Sequence, residues 1–456
     1  MAFLLGIIIL VVGLIISIGL HECGHLLPAK KFGALVPQFM IGFGPTLFSR
    51  KRGETEYGVK AILLGGYCRI LGMYGPGDPD QFGYKLDGKK LSVREARALD
   101  PQQAEDLVPT WSQEARDASL AEIPPEKRDR GFYNLPVRHR LVVMFGGPVM
   151  NLFLAFVLMG VAMLGIGIAT PTTTVDKAVC LKAGQVVECS QEGAQPSPGA
   201  KAGIKSGDVL VAWNGKKINT WEDLRKYAQA THGDATVSVR RGGEVIDLHL
   251  SGVEGKAGLY ARSVRQSTGI ATYGQTMWQM FYQTGAVVLK LPVAVWNVGV
   301  SVFTDTPRDS SGIMSVLGVG RIAGEIGSAP ATQITLADRA GGMLSLLASL
   351  NMALFVFNLI PLPPLDGGHI AGACWQGIKN GYARLRSRPA PGPTDAAKAV
   401  PLTYVVAGLL IAMTVLLMVA DIVDPIRLPQ RPPLGFTLPL SFRPQRACEK
   451  PLVTAQ

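Results

Sequence analysis

Charge is what this sequence is short of. Of its 456 residues only 17% are Asp, Glu, Lys or Arg, against 48% that are hydrophobic. A soluble globular chain carries about a quarter charged residues, so the deficit excludes an ordinary water-soluble protein and points to the membrane. Cysteine is scarce too: Cys23, Cys68, Cys180, Cys189, Cys374 and Cys448 are the full set, and their spacing excludes a cysteine-built metal centre. Histidine is equally rare at six residues, so two of them at ligand spacing carry weight. Acidic residues number 34 against 45 basic ones, a net charge of +11. Where the basic residues stand decides whether that excess suits nucleic acid or a membrane.

Four runs hold the apolar excess: Ala2 to Leu20, Leu141 to Ala169, Gly342 to Leu365 with prolines at its end, and Pro401 to Ala420. Each is near or above the roughly 20 residues that cross a bilayer. The first is not a cleaved signal peptide, because it lacks a basic start and a His-Glu pair stands where small residues would be cut. Lys30, Lys31, Arg50, Lys51 and Arg52 follow the first run, Arg138 and Arg140 precede the second, and Lys379, Arg384, Arg386 and Arg388 lie between the third and fourth. If all four runs span, these loops share one side. The positive-inside rule makes that side cytoplasmic and leaves both termini outside. The charge therefore serves topology, and nucleic acid is excluded as a partner. Arg427, Arg431, Arg443 and Arg446 run against the bias, in a Pro-rich tail over 425–456 that reads as a disordered extension. Cys180 and Cys189 both fall outside, where a disulfide and two free thiols remain equally open.

The spans divide the rest. Residues 1–74 hold the first span and, from Gly53 to Met73, a β segment in which Gly65-Gly66 offers a turn or kink before Tyr67. Residues 75–136 form a polar, partly helical cytoplasmic insert, and 137–171 the second span. Residues 172–255 read as a small extracytoplasmic α/β module: a short helix near Gly199, a strand over Val209-Leu210, an Asn214-Gly215 turn, a helix capped by Thr220 and Asp223, and a hairpin around Gly242-Gly243. That order resembles a PDZ domain, a fold that takes up extended peptides at a sheet edge. Residues 256–340 include Tyr273 to Phe303, apolar but interrupted by Gln279, Gln283, Lys290 and Pro292. We read it as an amphipathic helix on the outer membrane surface, with a fifth span as the alternative. Residues 341–424 carry the third and fourth spans.

The chemistry begins at His21-Glu22-Cys23-Gly24-His25. Residues four apart share a helix face, so both imidazoles can reach one zinc ion, and Glu22 stands beside them as a proton acceptor for the attacking water. Ionisable groups at the end of an apolar span cost about 2.5–3.5 kcal/mol each on insertion scales and are functional by default. A catalytic zinc takes three protein ligands. Asn358-Leu359-Ile360-Pro361-Leu362-Pro363-Pro364-Leu365-Asp366-Gly367-Gly368 supplies a carboxylate for the third, with His369 as its rival. The prolines cannot continue a helix. Unwound backbone at membrane depth must line a protein cavity, which frees Asp366 to turn inward.

An HExxH in the first span with an Asn-x-x-Pro-x-x-x-x-Asp-Gly element in a later one resembles the site-2 protease family of intramembrane zinc metalloproteases. The single PDZ-like module is similar to the bacterial RseP-type branch. The resemblance implies one zinc per chain on His21, His25 and Asp366, with Glu22 as catalytic base. It also implies substrate handling by Asn358 and Pro361, and a membrane-associated β-hairpin whose substrate-facing strand holds Gly66 and Tyr67. Phe145-Gly146-Gly147-Pro148 and Asn151 match the family's element in its second span. The expected fold is a polytopic α-helical membrane protein with about four spans, the hairpin and the PDZ-like domain. Its expected place is a bacterial cytoplasmic (inner) membrane. The expected substrate is a single-span membrane protein such as an anti-sigma factor, first shortened by an upstream site-1 protease. A non-enzymatic PDZ-bearing scaffold is the alternative, disfavoured by the intact Glu22 and Asp366. A metal transporter would need polar residues in spans two and four, which have almost none.

Overall fold

The computed structural model describes residues 1–182, 185–187, 195–255, 257–304, 313–329, 335–389, 391–392 and 394–423. Contacts among them define two units, one drawn from 1–159, 275–328 and 343–428, the other from 160–274 and 329–342. Cys189 and the tail lie outside the described residues, as does the question of what the tail does.

Helix α1 (Ala2–Lys31) is uninterrupted from its apolar start through both histidines, and ends where Gly33 takes a φ of +80°. Strands β1 (Gln38–Arg52) and β2 (Thr55–Arg69) form a two-stranded antiparallel sheet. Its register is irregular: Met40 pairs with both Gly58 and Tyr67, so the two halves of β2 flank the first half of β1. The Gly65-Gly66 step is a kink inside one strand rather than a turn between two, with Gly65 at a φ of +139°.

The insert is partly helical, and it also holds a small sheet that the sequence reading did not name. Strands β3 (Phe82–Leu86) and β4 (Lys89–Ser92) precede helices α2 (Val93–Arg97) and α3 (Pro101–Ala104). Strand β5 (Val108–Pro109) then joins β3 and β4 in a three-stranded sheet, covered by helix α4 (Trp111–Ala121). Ser92 and Thr110 cap the helices they precede, as short polar side chains do. Helix α5 (Val137–Gly160) opens the second apolar run and keeps Pro148 inside it.

The second unit is built on one antiparallel sheet. Strand β6 (Ile168–Ala178) leads to the short strands β7 (Cys180–Lys182), β8 (Gln185–Val187) and β9 (Gln195–Pro196). After helix α6 (Pro198–Lys201) come β10 (Val209–Trp213), β11 (Lys216–Lys217), helix α7 (Trp221–Gln229), and β12 (His232–Arg241), β13 (Glu244–Glu254) and β14 (Leu259–Gln266). The order is β13-β12-β10-β6-β14, with β11 on β10. The sheet thus draws in residues on both sides of 172–255: the β-branched Thr172-Thr173-Thr174-Val175 run belongs to a strand that starts at Ile168. Val175, Leu210, Trp213, Leu224, Val237 and Leu250 form its core. Cys180 is disulfide-bonded.

Helices α8 (Ile270–Leu289) and α9 (Leu291–Phe303) replace the single surface helix expected there, meeting at a 66° bend with Pro292 in the first turn of α9. Helix α10 (Val316–Ser328) lies against α1, where a Cβ on Gly6 would fall 2.2 Å from the Ala323 carbonyl oxygen. Then come α11 (Leu336–Asn358), α12 (Asp366–Leu385) and α13 (Val400–Val423). Among the described residues four helical segments, 2–31, 137–166, 336–358 and 396–423, are long and apolar enough to cross a membrane, or five with the bent pair.

Candidate active site

Helix α1 brings His21 and His25 one turn apart on a face turned to α5, and the two helices touch backbone to backbone. A Cβ on Gly24 would lie 2.2 Å from the Gly146 carbonyl oxygen, and one on Gly146 1.9 Å from that of Gly24. Small residues allow such an approach in a membrane, where packing rather than hydrophobicity joins helices. One residue on, a Cβ at Gly147 would fall 2.2 Å from His25 Nε2 and 2.6 Å from the His21 ring. The rings occupy the space that the missing side chain leaves.

Asp366 arrives from the far end of the chain. Helix α11 stops at Asn358, and the chain then folds back so tightly that a Cβ on Gly367 would strike the Ile360 carbonyl oxygen at 2.1 Å. Leu365 is extended, and α12 starts on Asp366 itself. The proline-rich segment is therefore unwound, and it delivers the carboxylate to the two imidazoles. His25 Nε2 and His21 Nε2 lie 3.3 and 3.5 Å from Asp366 Oδ2, and 3.3 Å from each other. Ligand atoms about 2.0–2.2 Å from a tetrahedral zinc stand about 3.3–3.5 Å apart, so the three donors fit that ion. Asp366 Oδ2 is buried and meets no hydrogen-bond geometry, although both ring nitrogens face it. Among the described residues these three form a group able to hold a metal, and neither Glu22 nor His369 belongs to it.

The far sides of the imidazoles are anchored. His25 Nδ1 lies 2.8 Å from the Val143 carbonyl oxygen, so that nitrogen carries the proton and Nε2 keeps its lone pair for a metal. His21 Nδ1 lies 3.1 Å from the side-chain amide of Asn151, which is almost fully buried. Asn151 Oδ1 has no partner. A half-turn of the amide lets Oδ1 accept the ring N–H, and such orientations are set by the network around them. Deeper in the bundle, Asn351 on α11 donates to Ser17 Oγ at 3.0 Å, one turn before His21 on α1.

Glu22 sits beside the ligand set against the hairpin. Its carboxylate is within hydrogen-bonding reach of the Cys68 backbone, and a Cβ on Gly66 would lie 3.3 Å from its Cγ. Gly66 pairs with Ile41 and Tyr67 with Met40. The Gly66–Arg69 stretch has β1 as its one strand neighbour among the described residues. Among the described residues no strand pairs with its other edge, which faces Glu22. Tyr67 stacks on Phe43 with Lys60 over its ring. Asn358 is half-buried at the end of α11, and Pro361 is exposed at the start of the unwound segment.

Two parts of this arrangement escaped the sequence reading: the role of Asn151 as anchor for His21, and strand β1 as partner of the Gly66–Tyr67 edge. An amide in an otherwise apolar span was the available signal for the first.

A family model described as Peptidase family M50 matches residues 9–389. The chain is 30% identical over 461 residues to the zinc metalloprotease Rip1 of Mycobacterium tuberculosis, covering 94% of this chain and 100% of that one. It is 26% identical over 400 residues to the zinc metalloprotease RasP of Shouchella clausii, covering 79% and 87%. It is 25% identical over 421 residues to the metalloprotease MmpA of Caulobacter vibrioides, covering 87% and 90%.

Proposed function

This chain belongs to peptidase family M50, the intramembrane zinc metalloproteases of site-2 type, and from that premise we propose how its residues divide the work. It is a multi-pass membrane enzyme that hydrolyses peptide bonds of membrane proteins, with zinc as its cofactor. Membership favours the enzyme over the scaffold. His21, His25 and Asp366 hold the zinc, one ion per chain. The observation that carries this reading is the convergence of their three donor atoms within 4.8 Å of one another.

Bound zinc supplies Lewis acidity toward the scissile carbonyl and the attacking water. Glu22 accepts the proton of that water and delivers it to the leaving amine. Val143 and Asn151 hold the outer ring nitrogens so that both Nε2 atoms keep their lone pairs. A helical substrate hides its carbonyls in its own hydrogen bonds and must unwind before it is cut. The unpaired edge at Gly66 and Tyr67 takes up the unwound stretch as an added strand. Asn358 offers an amide to a freed backbone group, and Pro361 keeps the facing segment unwound.

In this reading four spans carry a cytoplasmic insert and hairpin, and both termini and the second unit lie on the outer side of a bacterial inner membrane; the basic residues that flank the spans support that topology. The broken pair α8–α9 then lies on or dips into the outer surface. The second unit acts as a PDZ-like module. Its α6, its Asn214-Gly215 turn and its capped α7 support that assignment. A single-span anti-sigma factor, shortened beforehand by another protease, fits such a site as substrate.

The direct test is Glu22→Gln in the purified full chain. Zinc content should match the parent while cleavage falls by at least the 10²–10⁴-fold that a general base contributes. Loss of zinc, or turnover near that of the parent, would falsify the role given to Glu22.

A further inference from the structure

Beside the start of α13 the insert forms an open surface pocket of ≈ 520 Å³, with Tyr84, Lys85, Lys90, Thr110, Ser112 and Lys398 in its lining. The three lysines are exposed and come from β3, β4 and the turn that leads into α13. Asp80 and Arg116 also line it, and the acidic groups in and beside it are engaged. Asp80 pairs with Arg94 at 3.1 Å, Asp395 pairs with the buried Arg116, and Asp117 accepts from the Tyr84 hydroxyl at 3.0 Å and from Gln113. The two ion pairs cancel, and the three lysines outnumber the charge that Asp117 keeps, so positive charge is left in surplus here.

The rim is aromatic. The Thr110 amide donates to the Gly83 carbonyl at 2.8 Å, which sets Phe82 and Trp111 on either side of that bond. Phe82 is 65% exposed and Trp111 60% exposed. Trp111 meets Tyr404 of α13 edge to face, centroids 5.6 Å apart. Tyr404 lies in the first turns of a helix long and apolar enough to cross the bilayer. Tyrosine and tryptophan at that depth occupy the headgroup layer, apolar body toward the chains and polar edge toward water. Beyond Tyr404 α13 exposes Val405 and Leu409.

We propose that this lysine pocket with its aromatic rim binds the headgroup of an anionic phospholipid, whose acyl chains run along the exposed face of α13. A soluble anion would need the lysines alone and gives no reason for three exposed rings beside a span. The anionic lipids of a cytoplasmic leaflet supply both the charge for the pocket and the chains for the rim. The bound lipid would fix the insert to the membrane at α13. The inference rests on α13 crossing the bilayer, and not on the protease assignment.

The full-length protein, reconstituted in phosphatidylcholine nanodiscs, would be titrated with phosphatidylglycerol carrying brominated acyl chains. The readout is the tryptophan emission that the parent loses and a Trp111→Phe protein does not. Phosphatidylglycerol should quench Trp111 at a lower mole fraction than brominated phosphatidylcholine. Each lysine removed in the series Lys85→Gln, Lys90→Gln and Lys398→Gln should weaken the preference by about fivefold. Lys398→Arg should restore most of it. Zinc content, measured in the same samples, reports that each variant is folded. Equal quenching by the two lipids, an unchanged preference in the triple variant, or displacement of phosphatidylglycerol by inorganic phosphate would overturn the proposal.

Discussion

Gly147 is as much a part of the proposed metal centre as the proposed ligands are, because any side chain there would occupy the place of the two imidazoles. Asp366 is the residue on which the centre closes. Asp366→Ala should lower zinc affinity by more than the roughly 10- to 100-fold that follows loss of an outer-shell partner, while His369→Ala should leave zinc in place. Metal analysis of the two purified variants decides between them, and the reverse pattern would move the third ligand to His369. A different single residue reports on the insert. Arg130 and Lys127 hold the exposed Glu54 carboxyl down to about 2 from its ordinary 4.5. A depressed carboxyl contributes its stability in full above the unfolded pKa and loses it as the pH falls toward the folded one. The difference in Tm between the parent and Glu54→Gln should therefore be constant above about pH 4.5 and shrink to nothing near pH 2. Solvent screening keeps it small throughout, and a difference independent of pH would contradict the ion-pair account. At this scale the sequence was readable where function is local. His21, Glu22 and His25 show themselves by spacing alone, whereas Asn151 needs the fold to bring it 130 positions back along the chain.

Among the elements, the crossing of α1 and α5 sets the geometry of the site. Gly146→Ala places a methyl group 1.9 Å from a backbone oxygen that cannot give way. Overpacking of this kind costs about 1–3 kcal/mol or more. That outweighs the gain of about 0.5–1 kcal/mol from replacing a helical glycine. The expected result is lower thermal stability together with lost zinc, as His25 is pushed from the Val143 carbonyl. Gly285→Ala, in open space on α8, should retain both. Equal behaviour of the two variants in a melting and metal assay would remove the crossing from the account. The apolar runs behind α1, α5, α11 and α13 were legible from composition, as was β2 from its alternation. Strand β1 was not, because Gly42, Gly44 and Pro45 interrupt its pattern and its identity comes from pairing with β2, 15 residues or more away in its first half. The insert's sheet escaped for a similar reason: β3 and β4 are only 5 and 4 residues long, β3 packing against α4 and β4 against α2.

For the molecule as a whole, four long apolar segments belong with the triad of a buried His25 and the half-buried His21 and Asp366. Family membership puts hydrolysis where the substrate is a membrane helix, and the room proposed for it lies between the unwound 359–365 and the Gly66 edge. The membrane class and the zinc chemistry could be read from the chain without its fold. The reach of the sheet in the second unit, from Ile168 to Gln266, could not, since its outer strand β14 pairs with a segment about 90 residues earlier. The central claim is where the bond is cut. It is tested most directly by the mass of the product released when the zinc-loaded enzyme is reconstituted in vesicles with a single-span substrate already shortened on its outer side. The account predicts a new terminus inside the membrane-spanning segment, absent with Glu22→Gln. A terminus confined to the soluble flanks, or an unchanged product with Glu22→Gln, would contradict it.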